Sequence, residues 1–447
     1  MAPKRAHPIS NTALAAAINQ AGWTHAAVAR HVNDISAENG VRLYYDRSTI
    51  GHWLTGTIPR PEGICAAVEA FRRRLHNPGL TPAGLGWPDV PTVPGPTDDP
   101  WQGDPVARLT ALGEDDMLDR RTMLTASAFS LAGYTVPARR PLISSPRAGA
   151  REAGTGDVAR IRATTRHFGE LEDLYGGGHA RRSVAAYLVH DVAPLLHGTI
   201  GRARPDLFRA TAELVYLAAY MAMDDGVNGL AMRYYIQAVR LADEAGDRTL
   251  RATALRSMAV QARQLGHNRE ALALADAAAS SLDSRGPQRT LAWITGMRAE
   301  AHAGVADRRD ALALLRRAEA QLERADSLPE TEWTGNYRRE SFEHQSGLVL
   351  TQLGDHAAAA RHYTASMSTR RPIERRTRAL IGLRAAHAHL LAGDVDQAAA
   401  TVLDLGADVQ SISSARVRHE VRQIRAGWQP YRSSAHVAAA DRVIANN

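Results

Sequence analysis

Between residues 11 and 75, apolar side chains recur every three or four positions, in bursts separated by Gly, Pro and short polar stretches. That period puts them on one face of a helix. The first burst, Asn11–Ala21, ends at Gly22. The second begins near Thr24 and runs through Ala26-Ala27-Val28-Ala29-Arg30-His31-Val32, followed by a loop through Glu38-Asn39-Gly40. The third lies within Tyr45–Pro61: Ile50, Trp53 and Leu54 fall on a buried face, Arg47, Ser48, Thr49 and His52 on an exposed one, and Gly56 stops it. The fourth, Pro61–Leu75, opens on proline, ends in Arg72-Arg73-Arg74 and has Gly79 beyond it, the expected asymmetry of helix ends. Residues 9–88 therefore read as one helical unit behind a basic tail, 1–8, that carries Lys4, Arg5 and His7.

The pattern then weakens. Residues 89–105 hold Pro91, Pro94, Pro96, Pro100 and Pro105 and read as a linker. Residues 106–135 read as one amphipathic helix broken near Gly113, and 136–156 as a second linker rich in Pro, Arg, Gly and Ser. Arg120-Arg121 with the apolar stretch after it has the form of a twin-arginine export signal. Such signals are read at the N-terminus, so a linker helix is the better reading.

From Asp157 onward the helical pattern repeats. Gly226, Gly266, Ala306, Gly354 and Gly393 each stand five residues before an alanine: Ala231, Ala271, Ala311, Ala359 and Ala398. Four residues further come Tyr235, Ala275, Leu315, Tyr363 and Val402, and seven before each anchor come Ala219, Ala259, Ala299, Gly347 and Ala386. The register predicts helical hairpins with the anchor in the turn and small residues where the two helices touch. It resembles tetratricopeptide repeats, although the anchors recur at 40, 40, 48 and 39 residues against about 34 in the consensus. The resemblance implies a right-handed α-solenoid over 157–447 with a concave face, a degenerate first hairpin in 157–205, and a cap from Ser414. The expected fold is all-α: a helix-turn-helix domain (1–88), a Pro-rich linker with one helix (89–156) and the solenoid (157–447). No apolar run is long enough to span a membrane.

Composition sharpens this picture. The chain has 447 residues, 45% hydrophobic but only 5% aromatic, and a net charge of +7. Alanine-rich, aromatic-poor composition suits helices. Lys4 is the only lysine, so arginine carries the positive charge, as in GC-rich genomes; the balance favours a polyanionic partner. Cys65 is the only cysteine, which excludes an intrachain disulfide and a cysteine-rich zinc site; its apolar neighbours place it in the core.

Helix three and its exit, with Ile50, Trp53, Gly56 and Pro59 or Arg60-Pro61, together with Thr24 opening helix two and Ala29 one turn in, resemble the Xre family of phage-repressor-like helix-turn-helix proteins. The chain departs from that family in a long connection, Asn33 to Asp46, between helices two and three. The resemblance implies that Arg47, Ser48, Thr49 and His52 read bases of a double-stranded operator and that Trp53 packs in the core. Thr24, Arg42, Tyr44, Arg60, Lys4 and Arg5 would touch phosphates, with Tyr45 beside them. Arg72-Arg73-Arg74 reads first as a solvated helix end.

No catalytic site, metal site or cofactor is expected. Tyr175-Gly-Gly-Gly-His179 lacks the Gly-Lys-Ser/Thr ending of a phosphate loop and reads as a flexible turn. His387 and His389 do not share a helix face, and His190 and His197 lack a third ligand. In the solenoid, Tyr216, Tyr220, Arg256, Gln261, Arg298, His302, Asn336, Arg339, Glu343, Gln345 and His389 are the candidates to line the groove and hold a peptide, small molecule or protein. The order of parts resembles peptide-sensing quorum regulators and actinomycete regulators of development and antibiotic production. It implies a cytoplasmic, nucleoid-associated homodimer acting as a repressor. The alternative is a repeat-protein adaptor without specific DNA binding.

Overall fold

The computed structural model describes residues 9–39, 41–89, 99–117, 130–137, 152–283, 286–325 and 337–445; among them the chain is all-α, without a strand. The described helices include none long and apolar enough to cross a membrane.

The N-terminal head is built from α1 (Thr12–Ala21), α2 (His25–Glu38), α3 (Arg47–Leu54) and α4 (Pro61–Leu75). Side-chain caps start the first three: Asn11, Thr24 and Asp46 accept backbone N–H bonds from Leu14, Ala27 and Thr49. Gly22, in the left-handed region at φ +66°, ends α1. Leu14, Val28, Val32, Ile50, Val68 and Phe71 close a shared core in which Trp53 meets Tyr45 and Trp87 edge-on. Each such burial is worth roughly 1.5–3 kcal/mol. Cys65 is half-buried rather than enclosed. Of the basic run expected to be solvated, Arg74 stays exposed while donating to the Ala21 carbonyl, but Arg72 and Arg73 are half-buried: Arg72 donates to the Leu80 carbonyl and Arg73 pairs with Glu38 and Glu69.

Helix α5 (Pro105–Met117) runs unbroken through Gly113, where a side chain would collide with Val189. The expected break is therefore a packing contact. Trp101, Val106, Leu109, Leu112 and Tyr134 join the main core of the repeat body, so this stretch belongs to that body rather than spanning open solvent. Asp116 at its end is buried against Arg181 and accepts from the Tyr234 hydroxyl. Arg120 and Arg121 lie outside the described residues.

The body continues with α6 (Thr155–Tyr175), α7 (Gly177–Tyr187) and α8 (Ala193–Gly198). Five hairpins follow: α9 (Arg204–Asp224) with α10 (Asn228–Glu244), α11 (Arg248–Gln264) with α12 (Asn268–Ser280), α13 (Gln288–Gly304) with α14 (Arg308–Glu323), α15 (Arg339–Gln352) with α16 (His356–Ser368), and α17 (Arg375–Leu391) with α18 (Val395–Ser411). Helices α19 (Ala415–Gly427) and α20 (Ala435–Ile444) cap them. The repeat register holds throughout. All five turn anchors have positive φ, and the five alanines after them are fully buried. Gly347 is needed for contact, since a Cβ there would lie 2.5 Å from the Tyr363 ring.

The solenoid does not stay open. Its last inner helices, α17 and α19, return to its first, α6 and α9. Arg376 pairs with Glu172 at 2.5 Å, Ser414 Oγ donates to Asp224 at 2.8 Å, and Arg416 donates to the Tyr220 hydroxyl at 3.3 Å. The Ser413 N–H donates to the Tyr175 carbonyl at 2.8 Å. The glycine run 176–178 forms the other half of this latch: side chains at Gly176 and Gly178 would collide with Ser413, and one at Gly177 with Met221 and Asp224. The stretch expected to be a flexible turn is a close-packed seam that closes the hairpins into a ring.

Candidate functional site

The placement of α3 depends on one side chain. Helix α2 extends six residues past Val32, so the connection to α3 is shorter than the sequence pattern predicts. Asn33 lies inside α2; its amide nitrogen donates to the Tyr45 carbonyl at 2.9 Å and its oxygen accepts from the Tyr45 N–H at 3.0 Å. This two-point clamp ties the incoming chain to α2 immediately before α3. Tyr45 is held by the clamp, by Trp53 and over Gly63, so it is a half-buried packing residue rather than a free phosphate contact.

A reciprocal cap then starts α3. Thr49 N–H donates to Asp46 at 2.8 Å and the Asp46 N–H donates to the Thr49 hydroxyl at 3.4 Å. The Thr49 hydroxyl also donates to Asp46, which leaves its methyl as the part able to face a ligand. These bonds hold the Asp46 carboxyl below its ordinary value. Arg47, Ser48 and His52 are exposed and make no side-chain hydrogen bond or ion pair among the described residues. Tyr44 is 82% exposed just before α3, and Arg60 is exposed just after it. Thr24 is exposed at the start of α2. Lys4 and Arg5 lie outside the described residues.

Over residues 14–88 the chain matches the family described as SP15 N-terminal domain. The matched stretch is the head with its four helices and the turn carrying Trp87. No curated protein and no solved structure matches the chain.

The head is docked on the ring through the end of α2 and through α4. Glu38, at the end of α2, takes a bidentate contact from Arg73 and lies 3.5 Å from His267 of the α11–α12 turn. The Asn228 amide donates to the Glu38 carbonyl, and Leu131 N–H to the Glu69 carboxylate. Although burial opposes it, bonding to His267 and Arg73 holds the Glu38 carboxyl below its usual range. Arg42 does not extend the α3 surface; it lines the junction between head and ring, facing Arg418 and Arg422.

The ring separates the groove candidates. Tyr220 faces the interior, with Arg376 and Arg416 donating to its hydroxyl, and Arg256 stacks on Trp293 with its guanidinium 4.5 Å from the ring centre. Tyr216 and Gln261 are buried between helices: Tyr216 bonds Ser257, and Gln261 accepts from Tyr134 and donates to the Asn228 carbonyl. Arg298 pairs with Asp276, Arg339 with Glu319 and Glu343 with His362, each on an outer helix, and Arg339 also pairs with Glu343 along α15 itself. His302 bonds the turn aspartate Asp307 at 3.1 Å, and His389 lies 3.7 Å from the turn aspartate Asp394. Asn336 lies outside the described residues. The interior also holds a charged network of which, among the candidates, only Gln345 is a member. Arg263 pairs with Glu300 at 3.0 Å, Gln345 donates to Glu300 at 2.7 Å, and Arg384 pairs with Glu420 at 2.9 Å. Arg384 also donates to His344 Nε2 at 2.8 Å, which requires a neutral imidazole; burial and the nearby arginines lower the His344 pKa accordingly.

Proposed function

We propose that the head binds double-stranded DNA in a sequence-specific manner and that the protein is a homodimeric transcriptional repressor acting at the nucleoid. One observation carries this reading. Helix α3 is fixed by the Asp46–Thr49 cap, the Asn33 clamp and the buried Ile50, Trp53 and Leu54, while Arg47, Ser48 and His52 stand exposed and unengaged on its outer face. A rigid helix that presents an unpaired arginine and short polar groups from its first turns suits a major groove, where arginine pairs bidentately with guanine. Thr24 and Arg60 flank that face at helix starts, where backbone phosphates are favoured. Two heads on one dimer would meet half-sites roughly 34–36 Å, or a multiple, apart.

The adaptor reading finds less support, because ring closure and the Arg263–Glu300 and Arg384–Glu420 pairs occupy the surface along which a peptide would lie. The test is selection of bound duplexes from a random library, followed by titration at several salt concentrations. Arg47→Ala is expected to weaken specific binding by about 1–3 kcal/mol and to relax preference at one base position. Salt should weaken binding steeply through counterion release. Unchanged affinity and preference in Arg47→Ala would overturn the assignment.

A further inference from the structure

A cavity of about 620 Å³ opens where the head meets the ring. Leu265, Leu348 and Leu391 form apolar wall, and Gln264, Thr351 and Gln352 polar wall, all from the turn ends of inner helices. Six arginines line it, Arg42, Arg263, Arg384, Arg416, Arg418 and Arg422, against two carboxylates, Asp225 and Glu420. Both carboxylates are already engaged, Asp225 by Arg181 at 3.4 Å and Glu420 by Arg384 at 2.9 Å. Arg263 is neutralised by Glu300. Arg416 meets only the Tyr220 hydroxyl and the Gln264 side-chain oxygen. Among the described residues, Arg42, Arg416, Arg418 and Arg422 have no carboxylate at ion-pair distance, although the charge of Arg416 also reaches the buried Glu172. They are also close together: after burial, the charges of Arg42 and Arg418 hold the Arg422 guanidinium below its usual value. Like charges gathered over a low-dielectric concavity raise its affinity for anions.

We propose that this cavity binds a small organic anion carrying phosphate or carboxylate groups. Arg42, Arg416, Arg418 and Arg422 grip the charge, and the less polar part lies against Leu265, Leu348 and Leu391. A volume of this size suits a mononucleotide or a compact polyacid. The site has a built-in link to the head, since Arg42 and Ala37 belong to it while Arg416, Arg418 and Arg422 belong to α19. An anion that touches both favours the docked arrangement. Its role as an effector rests on the DNA-binding reading; its binding does not.

The test is calorimetric titration of the full chain with inorganic phosphate, citrate and ATP, which separates phosphate from carboxylate recognition. At least one probe is expected to bind saturably at a single site per chain. The double variant Arg42→Glu with Arg422→Glu, both exposed and unpaired, should weaken it roughly tenfold or more. Arg361→Glu, exposed on α16 away from the cavity, should leave it unchanged. The proposal is overturned if no probe binds saturably, or if the double variant binds as the parent does. Loss of DNA affinity in the double variant without probe binding would also overturn it, by making these arginines DNA phosphate contacts. Probe binding alongside an Arg47→Ala variant with unchanged DNA behaviour would retire the regulator reading and leave this site standing.

Discussion

Ala306 occupies a turn position at φ +62°, in the left-handed region, where the equivalent turns have Gly226, Gly266, Gly354 and Gly393 at φ +80°, +82°, +80° and +87°. A Cβ is strained there, and glycine is not. The next residue offsets part of the cost, because Asp307 caps α14 by accepting from the Asp310 N–H and also meets His302 at 3.1 Å. Ala306→Gly is expected to raise stability by about 0.5–1 kcal/mol, read as a higher urea midpoint. A lower midpoint would mean that the turn carries no strain. The repeat alignment put Ala306 in register from the sequence, but only the backbone angle shows that this member departs from the others at a cost. Arg72 and Arg73 make the complementary point: a basic run at a helix end looks solvated until the groups folded against it are known.

At the scale of elements, the informative difference is the length of α2. Asn33-Asp34 looks like a helix end, since short polar side chains compete with the helical backbone. The helix continues because tertiary contacts reward its last turns: Ile35 enters the head core, Glu38 reaches Arg73 and His267, and Asn33 itself holds Tyr45. The candidate recognition helix therefore depends on a side chain twelve residues from the one it binds. Asn33→Ala should cost about 1–3 kcal/mol of head stability by leaving the Tyr45 backbone groups unpaired, measured by thermal unfolding. It should also weaken DNA binding at all sequences alike. Retained stability together with retained DNA affinity would show that Trp53 and Tyr45 position α3 without the clamp.

At the scale of the whole molecule, the seam between the first and last hairpins is the controlling feature. There Arg376 faces three carboxylates, at 2.5 Å from Glu172 and 3.8 Å from both Asp173 and Asp224, with Arg416 and Tyr220 alongside. Two of these acids, Glu172 and Asp224, are buried, and Asp173 is half-buried beside them; Arg376 and Arg416 offset only part of their mutual repulsion. Burial, opposed by Arg376 and reinforced by Asp173 and Asp224, pushes Glu172 up to about 8. A carboxyl raised in the folded state favours folding fully below its unfolded value, near 4.5, and loses that advantage as pH rises through 8. The thermal midpoint should therefore fall between about pH 5 and 8, and Glu172→Gln, which cannot ionise, should flatten the fall. Identical pH profiles for parent and variant would show that Glu172 does not take up the proton.

Local pattern is enough for the parts: four helices in the head, hairpins after residue 204, small residues at their crossings, and an outward-facing Arg47, Ser48 and His52. These depend on local periodicity, capping residues and backbone preference, all of which act within a turn or two of the chain. Tertiary structure alone decided how the parts meet. It turned residues 105–117 into core, closed the solenoid through the glycines at 176–178, seated the head on His267, and gathered distant arginines around one cavity. Each of those contacts joins residues far apart in sequence. Their pairing depends on the summed rotation of successive hairpins, which no single repeat encodes in its own pattern.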